Sequence, residues 1–276
     1  MKKLILFLCL IFILPLSACG QGEIIVDNNH TIENFVPNPP ILPDNSEQED
    51  DFEDDDDEQV VDGFTKKTKK YLVSTANSLR VRSKPSSSST TLGYLDKNDA
   101  LLIKGQTGEY YITVFKENTA YVHTSMCKVL EIECENDVVE RAMDIGSSLL
   151  GYPYIWGAQR YHWGNGKLNS NFKKGEFDCS ALTLYAFYMA DGIILDVTTR
   201  TQVKNGVEVD INDLRRGDLM FFTNASRKNN VGVERIGHVA VYFGNNYILH
   251  TASDHAVIEP ISDLRWGYYI TSRRVA

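Results

Sequence analysis

The side chains in this 276-residue chain with the clearest capacity for chemistry are one thiol and two imidazoles. Cys179 stands between Asp178 and Ser180 and opens an apolar run, Ala181 to Ala190, that reads as a helix. In the first turn of a helix, unpaired N–H groups and the helix dipole favour an anion. This predicts a thiol pKa lowered toward the thiolate, the nucleophilic form. His238 and His250 follow in segments of strand character, Gly237-His238-Val239-Ala240-Val241 and Tyr247-Ile248-Leu249-His250. His238 can take the thiol proton and return it to a leaving amine, while His250 bonds the other ring nitrogen and fixes the tautomer. The backbone N–H of Cys179 and one further donor, for which Tyr154 is the candidate, would meet the oxyanion.

This assignment depends on strand register. The two histidine segments read as a hairpin about a three-residue loop, Gly244-Asn245-Asn246. Phe243 then opposes Tyr247, Ala240 opposes His250, and period-two alternation puts His238 and His250 on one face. A two-residue loop would put them on opposite faces. Taken singly, a cysteine at a helix start reads as a small core residue and a histidine in a strand as a structural one. The ordered set points to catalysis. Zinc is disfavoured because neither a fourth ligand nor paired-cysteine spacing accompanies the three, so no metal or organic cofactor is expected. His30, His123, His162 and His255 fall in tether, strand-end or loop-like stretches and read as surface or structural.

The elements that must carry this set begin well into the chain. Met1-Lys2-Lys3, the apolar stretch Leu4 to Leu14 and Leu16-Ser17-Ala18 read as a signal peptide over residues 1–18. With Cys19 they resemble a bacterial lipobox, which implies an exported protein, acylated at Cys19 and anchored on the outer side of the bacterial cell membrane. Of the five cysteines, Cys127, Cys134 and Cys179 then remain. Cys127 and Cys134 either form a short-loop disulfide or stay reduced, and Cys179 is left over in both cases. The formal charge of −9 becomes −11 without Lys2 and Lys3, which argues against a nucleic-acid partner. Much of the acid is local, in Asp44 to Glu58, a run too polar to bury a core. Residues 19–70 therefore read as a disordered tether, whose roughly 50 residues would span roughly 40 Å r.m.s..

Residues 71–132 change to short alternating segments separated by turn signals, the pattern of a small all-β barrel. Leu79-Arg80-Val81-Arg82-Ser83-Lys84-Pro85, Leu92-Gly93-Tyr94-Leu95 and Ala120-Tyr121-Val122-His123 resemble the bacterial SH3-like wall-binding domains. Residues 137–276 place helices first and antiparallel strands after, an α+β arrangement. Asn136 or Asp137 caps a helix that ends at Gly151; the polar stretch from Gln159 to Glu176 precedes the Cys179 helix, and a β-rich half follows.

Five motifs in order make residues 137–276 similar to the NlpC family of papain-like cell-wall peptidases. They are Pro153-Tyr154-Ile155-Trp156-Gly157, Phe177-Asp178-Cys179-Ser180, Arg216-Gly217-Asp218-Leu219-Met220-Phe221-Phe222, Gly237-His238-Val239-Ala240-Val241-Tyr242 and Ile248-Leu249-His250. The resemblance implies a papain-like fold, helices packed on an antiparallel sheet, and cleavage of γ-D-glutamyl-diamino acid bonds in peptidoglycan stem peptides. It implies Cys179 as nucleophile, His238 as base, His250 as third polar residue and Tyr154 as oxyanion partner, with Asp178, Ser180 and Thr198 as substrate contacts. Ala158, Ala181 and Arg216 depart from the family's usual residues, and the 159–176 stretch is longer than usual. A monomer is expected. The alternatives are amidase or acyl-transfer chemistry on the same scaffold, and a wall-binding lipoprotein without activity.

Overall fold

Strand-forming residues dominate the first half of the described chain, and their pairing follows their alternation. The computed structural model describes residues 59–61, 64–252 and 254–276, all within one compact unit, Asn45–Ala276. The signal sequence, Cys19 and the acidic run to Glu58 lie outside the described residues. β1 (Gln59–Val61) and β2 (Phe64–Lys66) form an antiparallel pair inside the stretch expected to be tether. β3 (Thr68–Ser74) follows directly, so Thr68, Lys69 and Lys70 also belong to a ladder.

The segments β4 (Leu79–Arg82), β5 (Thr91–Leu95), β6 (Ala100–Leu102), β7 (Gly105–Thr107), β8 (Tyr110–Phe115), β9 (Asn118–His123) and β10 (Cys127–Glu133) complete an all-β part. It consists of two sheets, ordered β10-β3-β6 and β5-β4-β9-β8-β7. Their apolar residues, among them Leu72, Val81, Leu101 and Val122, are buried together. Cys127 opens β10 and Cys134 follows its end; seven residues of extended strand separate them by roughly 23 Å. That distance rules out a disulfide between them, and both are free, half-buried thiols whose pKa is pushed up by burial.

α1 (Asp137–Ser148) is capped by Asn136, whose Oδ1 accepts the Val139 N–H at 3.0 Å. α2 (Cys179–Asp191) is buried along nearly its whole length and ends on Gly192 in the left-handed conformation. α3 (Thr199–Gln202), β11 (Val207–Val209), β12 (Leu219–Phe222), β13 (His238–Gly244), β14 (Tyr247–Ala252), β15 (His255–Pro260), α4 (Asp263–Trp266) and β16 (Tyr269–Arg274) follow. The sheet is antiparallel throughout, ordered β11-β16-β12-β13-β14-β15. Leu219, Phe221, Val239, Val241 and Leu249 face the α1 and α2 core, whereas Met220, Phe222, Ala240 and Ile248 face a smaller cluster with Trp266 and Tyr268. Mixed helices and antiparallel sheets agree with the α+β expectation. Among the described residues no helix is long and apolar enough to cross a membrane.

The all-β part and the helical layer share one continuous core, locked at two places. Arg216 is 5 % exposed and donates to Glu140 Oε1 (2.7 Å), the Phe243 carbonyl (2.7 Å) and the Tyr71 hydroxyl (2.8 Å). Its guanidinium lies 4.2 Å from the Phe243 ring centroid and 5.7 Å from that of Tyr71, so it is both ion-paired and packed on aromatic rings. At the second place the β8–β9 turn caps a helix: Lys116 and Glu117 N–H groups donate to the Leu150 and Ser148 carbonyls at the end of α1. Gly151, at φ +87°, lies against the Phe115 ring so closely that an added Cβ would sit 2.1 Å from it.

Candidate active site

Cys179 is the first residue of α2, and Asp178 is its N-cap, with Oδ1 accepting the Ala181 N–H at 2.9 Å. The sequence had placed the thiol here correctly, yet the expected lowering of its pKa is overturned. Cys179 is 7 % exposed, and burial first, then the Asp178 carboxylate, push the thiol up to about 11. The Val239 and Ser180 N–H groups at the sulfur act in the opposite direction and do not prevail. At neutral pH the resting residue is a thiol.

The histidines share a face, as the mechanism requires, but the predicted loop is not what achieves it. Gly244 pairs with Tyr247 around a two-residue turn, Asn245-Asn246, with φ of 48° and 63°, the type I′ pattern. Phe243 is bulged out of register between Tyr242 and Gly244. The extra residue restores the parity that a two-residue loop would have inverted, so Val241 opposes Leu249 and the same count sets Ala240 against His250. Phe243 bulges because its ring is fully buried against Tyr71, with Arg216 across its face.

The β13–β14 ladder ends at Val241–Leu249, short of both histidines. In the opening beyond it the Val239 N–H turns to the Cys179 sulfur, one residue along the strand from His238. The two rings span the same opening, His238 Nε2 lying 2.9 Å from His250 Nδ1 with ring planes at 75°.

A residue that the sequence reading missed completes the line. His250 Nε2 is 2.9 Å from Glu259 Oε1, and Arg265 Nη2 is 3.4 Å from the same oxygen. Glu259 titrates below the usual carboxylate range: burial raises its pKa, but the His250 bond and the charges of His250 and Arg265 outweigh that. As a carboxylate it only accepts, so His250 carries its proton on Nε2 and offers a lone pair at Nδ1. His238 must then donate from Nε2, which leaves the lone pair on its own Nδ1. Burial holds the pKa of both rings below 6.5, His238 the more strongly because His250 and Arg265 add to the effect. Both are neutral near pH 7. The one sequence signal for Glu259 is alternation within His255-Ala256-Val257-Ile258-Glu259: His250 pairs with Val257, and Glu259, two residues on, falls on the same face. His255, read as loop-like, begins that strand.

Tyr154 is strung between the two halves of the site. Its N–H donates to the Asp254 carbonyl at 2.7 Å, and the next residue, Ile155, donates to the Phe177 carbonyl at 2.9 Å. Its ring lines the cavity that His238 also lines. Asp178 and Ser180 flank Cys179 but are tied up internally, Asp178 Oδ2 by Arg160 Nη2 (2.9 Å) and Ser180 Oγ by the same nitrogen (2.9 Å). Arg160 also donates to the Val197 and Ala158 carbonyls. Thr198 is not among the residues that line that cavity, and it caps α3 with Thr201. The 159–176 stretch is no loose lid: Tyr161 and Phe172 pack on Tyr185, and His162, read as surface or structural, is fully buried. Among the described residues no group of three His, Cys, Asp or Glu side chains is placed to hold a metal.

Comparison with known proteins adds to this geometry. The family model for the NlpC/P60 family matches residues 151–275. Murein DD-endopeptidase MepS/murein LD-carboxypeptidase of Escherichia coli K12 is 31 % identical over 156 residues, which cover 55 % of this chain and 73 % of that protein. The chain belongs to the NlpC/P60 family. It is also 31 % identical over 138 residues to peptidoglycan DL-endopeptidase CwlO of Bacillus licheniformis (49 % of this chain, 27 % of the relative). It is 33 % identical over 147 residues to a γ-D-glutamyl-L-lysine dipeptidyl-peptidase of Bacillus cereus (51 % and 38 %). The chain thus spans well under half the length of these last two relatives. A crystal structure of an NlpC/P60 family protein from Bacillus cereus overlays with a TM-score of 0.40 at 23 % identity, covering 75 % of this chain and 63 % of the other.

Proposed function

We propose that this protein is a peptidoglycan hydrolase, a cysteine endopeptidase that cleaves γ-D-glutamyl-diamino acid bonds in stem peptides through an acyl-enzyme on Cys179. The observation that carries the reading is the line Glu259, His250, His238, which ends on an unprotonated Nδ1 beside the strand edge that holds the Cys179 sulfur. The thiol and the base are both neutral at rest, so attack and proton transfer go together: sulfur adds to the scissile carbonyl as its proton passes to His238 Nδ1. The oxyanion is met by the Cys179 N–H and the Tyr154 hydroxyl. Collapse forms the thioester and breaks the C–N bond, His238 returns the proton to the amine, and water enters by the same base to release the acid.

Glu259 acts as a positioning residue, through His250, and does not touch the substrate. Asp178 and Ser180, joined by Arg160, form a polar wall of the cleft, and Thr198 contributes through the segment that receives Arg160. The family relatives support a wall substrate, although their names give different bonds, so bond choice rests on the motif resemblance. We further read the all-β part as an SH3-like wall-binding module and Cys19 as the acylated anchor of an exported monomer. Mass spectrometry of muropeptides digested by the full chain and by Cys179→Ser tests the assignment. New D-glutamate carboxyl termini are expected from the former only, and digestion without them would refute the bond assignment.

A further inference from the structure

Along β15, the last strand of the catalytic sheet, the β5–β6 turn of the all-β part comes close, and a cavity of about 540 Å³ lies in the seam. Four carboxylates line it, Asp96 and Asp99 from that turn, Asp254 from the β14–β15 turn and Glu259 from β15, against two permanent cations, Lys97 and Arg265. Two of the acids have partners: Asp254 faces His255 Nδ1 at 2.8 Å, and Glu259 faces Arg265 and His250. A surplus of acid alone describes a solvated surface. Asp99 does not fit that description.

Asp99 is 5 % exposed, yet only one of its carboxylate oxygens is used. Oδ2 accepts the Asp96 N–H at 2.7 Å, whereas among the described residues Oδ1 has no hydrogen-bond partner and is not sealed from the cavity that Asp99 lines. Lys97 is exposed and makes no ion pair among the described residues, so it does not supply the missing partner. Burial raises the Asp99 pKa to about 6; the Asp96 N–H and His255 oppose the rise, Glu259 and Asp96 add to it, and the rise prevails. Buried carboxylates are normally paired, because an ionised group taken out of water without compensation is strongly unfavourable. One that fronts a cavity with an oxygen to spare marks the place of an absent cationic donor.

We propose that this seam cavity is a binding site for a primary ammonium group, held by Asp99 and flanked by Asp96 and Asp254. A single free carboxylate oxygen suits a compact point charge better than the planar fork of a guanidinium. A metal ion is not favoured, since among the described residues no group of three His, Cys, Asp or Glu side chains is placed to hold one. Val257 and Pro260 offer apolar surface to the alkyl stem that carries the amine. Glu259 lines the same cavity and bonds His250, so the bound cation stands beside the carboxylate at the far end of the catalytic line. The site does not depend on the hydrolase reading; only the choice of a diamino acid side chain as the source of the amine rests on it.

Proton–nitrogen correlation spectra of the full chain carrying Cys179→Ser, titrated with n-butylammonium chloride or with n-butanol at constant ionic strength, read occupancy amide by amide. The ammonium alone should shift the Lys97, Asp99 and Val257 amides saturably, leaving those of α2 in place. Asp99→Asn keeps the shape, removes the charge and should weaken binding about tenfold or more. Equal shifts with the alcohol, no shift at the seam, or undiminished binding by Asp99→Asn overturns the proposal. If Asp99→Asn does not fold, Lys97→Met decides: deleting a competing cation from the rim should tighten binding about threefold, and no tightening overturns the site. Two Nα-acetylated stem peptides, with the diamino side chain free or acetylated, then name the source. A seam shift from the free form alone assigns the amine to the wall; no shift from either, with n-butylammonium still bound, upholds the site and places the amine on another ligand. Loss of the hydrolase assignment would leave every one of these spectra unchanged, so the two readings fail separately.

Discussion

Removing the Glu259 carboxylate tests the proton arrangement of the whole site. Glu259→Leu deletes the acceptor of the His250 Nε2–H, a donor on a ring that is 0 % exposed. A buried donor left without a partner costs about 1–3 kcal/mol. That is also the bias that now holds His250 in the tautomer with a lone pair at Nδ1, because among the described residues Nε2 has no other hydrogen-bond partner. With the bias gone His250 can move its proton to Nδ1, His238 then loses the acceptor for its Nε2–H, and the lone pair at its Nδ1 is no longer enforced. The same energy converts to a fall in kcat of about 10- to 100-fold, with KM little changed because Glu259 touches no substrate. Glu259→Gln keeps an acceptor oxygen and should lose less than about tenfold. It also removes a charge that raises the His250 pKa, so the acid limb of the kcat profile, already below pH 6.5 in the unsubstituted protein, should move further down. Muropeptide release followed chromatographically between pH 4 and 8 reads both. Unchanged kcat and pH profile in Glu259→Leu, or equal losses in the Leu and Gln variants, would refute the tautomer argument.

The Cys179 thiol, held at about 11 by burial and Asp178, should react with iodoacetamide at pH 7 more slowly than a free cysteine and gain rate steeply above pH 9; fast alkylation at neutral pH would contradict the resting thiol. Arg216→Ala removes the bidentate partner of Glu140, leaving it Lys69 and the Glu135 N–H, and opens the junction between Tyr71 and Phe243; a loss of about 3 kcal/mol is expected in chemical unfolding, and a loss under 1 kcal/mol would deny the clamp its role. Gly151→Ala combines a left-handed backbone with a clash on Phe115 and should cost about 2–4 kcal/mol by the same measurement. Stability should also fall as pH drops below 6.5. His238 and His250 have depressed pKa values in the folded chain, so the unfolded chain binds more protons in that range; an unfolding midpoint flat from pH 6.5 to 5 would oppose this.

How much of this was legible in the sequence can be argued residue by residue. Cys179 at the first turn was legible because Asp178 and the apolar run to Ala190 are local signals, and local signals set helix starts. The shared face of the histidines was legible through period two, but the reason differed. Two asparagines can both take positive φ and close a tight turn, and only the burial of Phe243 between Tyr71 and Arg216, far away in sequence, forces the compensating bulge. The thiol's pKa was misjudged on the same ground: a helix dipole is local, whereas burial under the sheet is tertiary. Glu259 and Arg265 were missed because the strand and short helix that carry them lack strong signals of their own, Pro260 closing one and four residues making up the other. Arg160 escaped because a polar stretch gives no sign of folding over Asp178 until its aromatic residues find Tyr185.

Where β13 and β14 part, the sheet has a gap in its ladder, and the Cys179 sulfur lies at that gap, near enough to the Val239 N–H for the amide to favour the thiolate. The Cys179 sulfur therefore stands where a ladder partner would otherwise be. Alanine at position 179 would strand a buried amide, whereas serine keeps an acceptor there, so the two common inactivating substitutions are not equivalent controls. Acylation presents the sheet with the same disturbance once per turnover, because the thioester sulfur is a poorer acceptor than the thiol it replaces. The acyl-enzyme should accordingly melt earlier than the free protein. A covalent inhibitor of this site would then announce its occupancy as a lower unfolding temperature, opposite in sign to the shift that a reversible ligand gives.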